Sequence, residues 1–247
     1  MQAKLGRRNT ALLFETKLNK RHILTKLFKT MYTRYHLIQS LIASRDYKRY
    51  LEIGAGSGIL FNLIEIEHKD GVDPGIDDQW ISNDEAKLGV GYSHIGYSMT
   101  SDEFFENHAP NLEKYDIIFI DGLHESHQVD KDIDNALKFL NKGGSIVLHD
   151  CNPLDEIAQI VPRIRQMGWN GDVWKSVVKY RASNPELNLI SVELPDDADV
   201  SVICEGLPKG KSLDLPKELT YQWLDANREQ ALNLFSLEES KTILNIQ

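Results

Sequence analysis

From residue 50 onward, short apolar runs alternate with stretches whose apolar residues recur at helical spacing. That alternation is the pattern of a parallel sheet built through helical crossovers. Strands are expected at Tyr50–Ile53, Lys69–Val72, His94–Tyr97, Tyr115–Ile120 and Ser145–His149. Helices are expected at Ile59–Glu67, Asp84–Leu88, Asp102–His108 and Ser126–Leu140. The last of these sets Val129, Ile133, Ala136, Leu137 and Leu140 on one face and Asp130, Lys131, Asp132 and Asp134 around the other. Beyond Asp150 the pattern changes, with prolines at 153 and 162, a helix expected over Val173–Tyr180, and apolar runs at Asn188–Glu193 and Asp199–Cys204. Only Leu-Pro-Asp-Asp and Ala separate those two runs, too short a connection for a parallel return, so they read as an antiparallel hairpin.

Charge divides the chain. Residues 1–50 carry 12 lysines and arginines against two acids, whereas the remainder carries 16 against 35, within a net charge of −9 over 247 residues. The boundaries follow: a basic helical arm over 1–46, an α/β domain over 47–205 and a partly helical tail over 206–247. In the arm, Leu24, Leu27, Phe28, Met31, Tyr35 and Ile38 recur at helical spacing among cations. The first reading is an amphipathic helix laid on the acidic body, its cations matched to the body's acids. Nucleic acid, an anionic membrane surface or a phosphorylated substrate are the other partners such a helix could meet. Arm and tail together could also build a homodimer interface. No apolar run approaches the ~20 residues that cross a bilayer. Two cysteines without metal-ligand spacing fit a reduced, cytoplasmic protein.

Candidate chemistry collects at the ends of the strands. Leu51 to Gly58 reads Leu-Glu-Ile-Gly-Ala-Gly-Ser-Gly, a strand entering a glycine-rich turn that lets the backbone approach a ligand. The spacing differs from the dinucleotide fingerprint, because the third glycine is Gly58 and residue 59 is Ile, which weakens a nicotinamide-dependent oxidoreductase reading. Asp73 closes the next strand 19 residues after Gly54, an interval at which an acid can accept from both hydroxyls of a ribose. Asp121 and His124 end one strand, and His149 and Asp150 end another.

These segments resemble the class I S-adenosylmethionine-dependent methyltransferases, and within them the methyltransferase domain 24 family. The matching motifs are the glycine turn, Gly-Val-Asp-Pro (71–74), Thr-Ser-Asp-Glu-Phe-Phe (100–105), Phe-Ile-Asp-Gly-Leu-His (119–124), Val-Leu-His-Asp-Cys-Asn-Pro (147–153) and Trp-Asn-Gly-Asp-Val-Trp-Lys (169–175). The resemblance implies a Rossmann-like three-layer α/β sandwich. Its seven-stranded sheet would have the order 3-2-1-4-5-7-6, with strand 7 antiparallel. It implies S-adenosyl-L-methionine as cofactor, held by Glu52, Gly54, Gly56, Gly58, Asp73, Ser101 and Asp121. It also implies O-methylation of a sugar or another small hydroxyl-bearing acceptor, with His124 as base and Asp121 and Asp150 as its catalytic companions.

In related sugar O-methyltransferases a divalent cation is bound through equivalents of Asp121, His149 and Asp150. Here His149 stands where a carboxylate is expected, and imidazole suits Mn²⁺ better than Mg²⁺. A metal-free site with His124 as base is the other arrangement the residues allow. The start of a helix near His124 is expected to keep that ring neutral. Asp172 reads as the N-cap of the helix that follows it, and Trp169 and Trp174 as core residues or as platforms for a sugar. His94, His108 and His127 read as structural or solvent-facing. Two alternatives keep the fold: an RNA methyltransferase that uses the arm, and a non-catalytic cofactor-binding module.

Overall fold

The computed structural model describes residues 32–76, 93–165, 167–184, 188–208 and 210–247. In chain order the elements are α1 (Arg34–Arg45), β1 (Arg49–Ile53), α2 (Ile59–Leu63), β2 (His68–Val72), β3 (Ser93–Tyr97), α3 (Ser101–Asn107), β4 (Tyr115–Ile120), α4 (Ser126–Phe139), β5 (Leu140–Leu148), α5 (Val173–Ser183), β6 (Leu189–Val192), β7 (Val200–Cys204), α6 (Tyr221–Leu232), β8 (Leu234–Phe235) and α7 (Leu237–Leu244). The strands form one sheet in the order β3-β2-β1-β4-β5-β7-β6-β8. This is the expected order 3-2-1-4-5-7-6 with β7 antiparallel to both neighbours. An eighth strand is added, since β8 from the tail pairs parallel to β6.

Period-two alternation makes the sheet two-faced. Ile117, Phe119 and Val147 point into a core shared with α1, α2 and α7, while Ile118, Ile120, Ile146 and Leu148 point into one shared with α3, α4, α5 and α6. Helices therefore cover both faces, giving the three-layer sandwich. α1 belongs to the first core: Leu37, Ile38, Leu41 and Ile42 are all buried. That part of the arm lies on the body as the amphipathic reading expects, whereas residues 1–31 and the helix expected at Asp84–Leu88 lie outside the described residues.

Other boundaries shift for local reasons. The helix expected to reach Glu67 ends at Leu63, where the buried Lys69 ammonium donates to the Phe61 and Ile64 carbonyls at 2.5 and 2.8 Å. β5 starts five residues earlier than expected, directly after α4, because Leu140 already pairs with Tyr115 of β4.

Register sets the functional edge. Ile53, Ile120 and Leu148 lie side by side at the ends of β1, β4 and β5. Gly54, Asp121 and His149 consequently leave the sheet together. Because β7 is antiparallel to β5, with Ser201 opposite Leu148, the turn between β6 and β7 arrives at the same edge.

Candidate active site

A cleft of about 440 Å³ opens beyond β1 and β2, lined by Gly54, Asp73, Pro74, Thr100, Ser101, Gly122, Leu123 and Gln128 among others. Gly54 sits at φ 82°, and a Cβ there would overlap the Asp121 carbonyl, so only glycine permits this crossing of the β1 and β4 exits. Gly56 donates its N–H to Asp73 Oδ2 at 3.0 Å, which ties the glycine turn to the acid at the end of β2. Gly58, at φ 72°, starts α2. Ser101 opens α3 behind a reciprocal Thr100–Glu103 cap and accepts from Gln128 Nε2 at 3.2 Å. Gly54, Asp73 and Ser101 thus meet in one cleft. Glu52 does not line it; buried within β1, it accepts from the Tyr50 hydroxyl at 2.6 Å, and burial pushes its carboxyl up to about 8.

Beside that cleft, the ends of β4 and β5 bring two acids and two imidazoles together. His124 Nε2 lies 3.2 Å from Asp121 Oδ1, and its Nδ1 lies 3.1 Å from Asp150 Oδ2. His149 Nδ1 faces the same oxygens, at 3.2 Å from Asp121 and 3.1 Å from Asp150. Asp150 adopts a left-handed φ of 59°, and its other oxygen accepts from Asn170 Nδ2 at 2.6 Å. Asp121, His124 and Asp150 each offer a ligand-type atom, and these atoms lie within 4.8 Å of one another.

Residues outside the expected set complete the cluster. Arg34, at the start of α1, places Nη1 2.7 Å from Asp197 Oδ1 and 3.0 Å from His149 Nε2, with Nη2 4.0 Å from Asp121. Asp197 comes from the β6–β7 turn and lies 3.4 Å from His149 Nε2. Neither residue carried a site signal in the sequence, since one read as a surface cation and the other as part of a turn.

Electrostatics follow from these neighbours. Burial pushes the Asp121 carboxyl up, but His149, His124 and Arg34 outweigh it and hold the group well below the usual carboxylate range. Burial lowers the His124 imidazole, yet its contact with Asp121 and the charge of Asp150 leave it raised. This reverses the expectation from the helix start: two carboxylates at contact distance dominate a partial charge at a helix terminus. His149 is raised likewise, because Asp121 and Asp150 outweigh both burial and Arg34.

The Trp-Asn-Gly-Asp segment packs against the His124 loop. Trp169 stacks on His124 at 5.2 Å and 9°, and the Arg163 guanidinium lies over the Trp169 ring at 5.4 Å. Both the imidazole and the guanidinium thus pack on the Trp169 ring, which also lines the second cleft described below. Trp174 is fully buried. The Asp172 carboxylate caps no backbone N–H of its own helix; it accepts from Lys175 Nζ at 3.1 Å and from the Ser126 N–H at 2.6 Å, and so caps α4. His127 is exposed, His108 stacks on Phe104, and His94 lies 3.5 Å from the Ile66 carbonyl, all away from the cluster. A second cleft of about 490 Å³ lies on the other side, lined by Asp150, Asn152, Leu154, Trp169, Asn170, Leu194, Asp197 and Asp199 among others.

Residues 51–151 match the profile of a family described as a methyltransferase domain. An uncharacterised protein of Acanthamoeba polyphaga mimivirus is 27% identical over an alignment of 151 positions that covers 56% of this chain and 68% of that one. Among solved structures, an O-methyltransferase from Bacillus cereus in complex with SAH is similar with a TM-score of 0.51 and 17% identity, over 70% of this chain and 80% of that one. A proposed caffeoyl-CoA O-methyltransferase from Staphylococcus aureus is similar with a TM-score of 0.50 and 18% identity, over 80% of this chain and 99% of that one. At such identities the structural likeness establishes the fold.

Proposed function

Since residues 51–151 match the model of a methyltransferase-domain family, we propose that the protein transfers a methyl group from S-adenosylmethionine to a hydroxyl of a small polar acceptor, with sugars as the leading class. The observation that carries this reading is the cluster of Asp121, His124 and Asp150, next to one cleft through the lining residues Gly122 and Leu123 and reaching a second through Asp150. One cleft has the glycine turn and Asp73 for a nucleoside, and the other has carboxylates and amides for a hydroxylated molecule. When bound, S-adenosylmethionine supplies a methyl carbon already activated on a sulfonium sulfur, which keeps the electron pair of the broken bond and departs as a thioether. The chain's task is to align the acceptor oxygen and take its proton.

His124 is the group placed for that proton. Its ring is fixed by Trp169, and Asp121 and Asp150 flank its two nitrogens, stabilising the imidazolium that forms as the oxygen–carbon bond is made. Asp150, Asp197 and Asp199 give the acceptor cleft an acidic lining, in which Arg34 pairs with Asp197 at 2.7 Å and Arg165 is engaged by Asp155 at 2.8 Å. Such a lining suits a neutral polyol and opposes a phosphate backbone, so this reading takes precedence over an RNA acceptor.

Calorimetry with S-adenosylhomocysteine tests the cofactor half. Asp73→Ala removes an acceptor for both ribose hydroxyls and is expected to weaken binding by about 2 kcal/mol or more. Equal affinity for wild type and variant would place the nucleoside elsewhere. Transfer of a labelled methyl group to a panel of monosaccharides, oligosaccharides and simple alcohols tests the acceptor half.

A further inference from the structure

The acid cluster already contains a cation of its own. Arg34 donates through Nη1 to Asp197 Oδ1 at 2.7 Å, its backbone N–H donates to Asp197 Oδ2 at 3.1 Å, and Nη2 lies 4.0 Å from Asp121 Oδ2. The same Nη1 lies 3.0 Å from His149 Nε2. A guanidinium offers donors only. Two protonation states of His149 suit these neighbours: a neutral ring whose Nε2 accepts from Arg34, and an imidazolium whose Nε2–H turns to Asp197. Both place a proton on Nδ1, between Asp121 Oδ1 and Asp150 Oδ2 at 3.2 and 3.1 Å.

A divalent ion held by Asp121, His149 and Asp150 needs the remaining state. Nδ1 would have to lose the proton it directs between the two carboxylates and give its lone pair to the ion, while Nε2–H would share Asp197 Oδ1 with Arg34. The ion would also sit close to a guanidinium charge. Replacing His149 by His124 as ligand would consume the base and leave the His149 Nδ1–H still directed between the two carboxylates. The donor set therefore does not fit a metal while Arg34 is in place.

We propose that Arg34, together with the Nδ1–H of His149, stands in for a divalent cation, and that Arg34 is the positioning residue which keeps metal out of this site. The inference rests on the methyl-transfer reading only for what the site is used for; the arrangement of charges and donors does not depend on the acceptor. It also explains why an imidazole can stand where a carboxylate is expected. With a guanidinium supplying the positive charge, a third acid is provided from Asp197 and a hydrogen-bond donor is needed between Asp121 and Asp150.

Mn²⁺ binding, followed by the electron paramagnetic resonance signal of free ion, tests this on the full chain. Site binding is the part lost on Asp121→Asn. Wild type is expected to show none at millimolar Mn²⁺. Arg34→Met is expected to open the site and bind Mn²⁺ about tenfold or more tightly than wild type, whereas Arg34→Lys, which keeps the charge, should stay closed. One equivalent of Mn²⁺ bound by wild type and lost on Asp121→Asn would overturn the proposal, and that comparison does not require Arg34→Met to fold. An Arg34→Met variant with native circular dichroism that binds no more tightly than wild type would overturn it too. S-adenosylhomocysteine titrated into the same wild-type sample separates the two readings: no binding there sinks the methyltransferase assignment and leaves the metal result standing.

Discussion

His124 is where geometry and charge state pull in different directions, and the pull is measurable. Its carboxylate neighbours raise the imidazole above its ordinary value of 6.5, yet a base must be neutral to accept a proton. The rate of methyl transfer should accordingly climb with pH through a limb lying above 6.5, because the deprotonated ring is the active form. Asp150→Asn, which removes one of the stabilising charges, should move that limb to lower pH. His124→Ala is expected to slow transfer by roughly 10²- to 10⁴-fold, with S-adenosylhomocysteine affinity unchanged; a limb that ignores Asp150→Asn would remove His124 from the role of base. Asp121 and the His149–Asp150 pair were legible in the sequence because they follow apolar runs, and His124 because it stands three residues beyond Asp121 in the same strand exit; strand ends are where an α/β sheet exposes side chains. Arg34 and Asp197 were not, since their contact joins residues 163 positions apart and no local pattern encodes it.

The element that follows His124 is α4, and its N-terminus is capped from another part of the chain. Glu125 makes no side-chain cap, so the Ser126 N–H is satisfied by Asp172, whose own N–H in turn donates to the His124 carbonyl at 3.1 Å. Gly171 is required beside it: at φ 63°, with the His124 carbonyl against the backbone, a Cβ would overlap that oxygen. Asp172→Ala should cost about 0.5–2 kcal/mol, as loss of an N-cap does, read as a lower denaturation midpoint. It should also reduce the rate, because the His124 loop loses an anchor. An unchanged midpoint would mean the cap contributes nothing. The sequence placed Asp172 at the N-cap of α5, where it sits, but not its carboxylate at the start of α4, because one-dimensional spacing sees only the nearest N-terminus while the fold brings residue 126 to residue 172. Similarly, the central strands were legible from their alternation, whereas β8, only two residues long, exists through pairing with β6 and has no periodicity of its own.

At the scale of the molecule, the segments outside the α/β body close it. α1 from the arm and α7 from the tail share one core: Leu37, Ile38 and Leu41 pack in the cluster that holds Leu244 and Ile246, over strand residues including Ile190 and Val192. β8 meanwhile takes the open side of β6, with the Ser191 N–H donating to the Asn233 carbonyl and the Glu193 N–H to the Phe235 carbonyl. Without that pairing, β6 would be a bare apolar edge, the kind of template on which other chains add strands. Leu244→Asp puts a carboxylate into a position 1% exposed, a change expected to cost on the order of 3–4 kcal/mol and to release α7 together with β8. The expected readouts are a lower thermal midpoint and concentration-dependent association in light scattering. S-adenosylhomocysteine affinity should persist in the folded fraction, because the nucleoside cleft lies beyond β1 and β2, on the far side of β4 and β5 from β6. A monodisperse variant melting with the wild type would show that the tail decorates the sheet and that the β6 edge is protected by something other than β8.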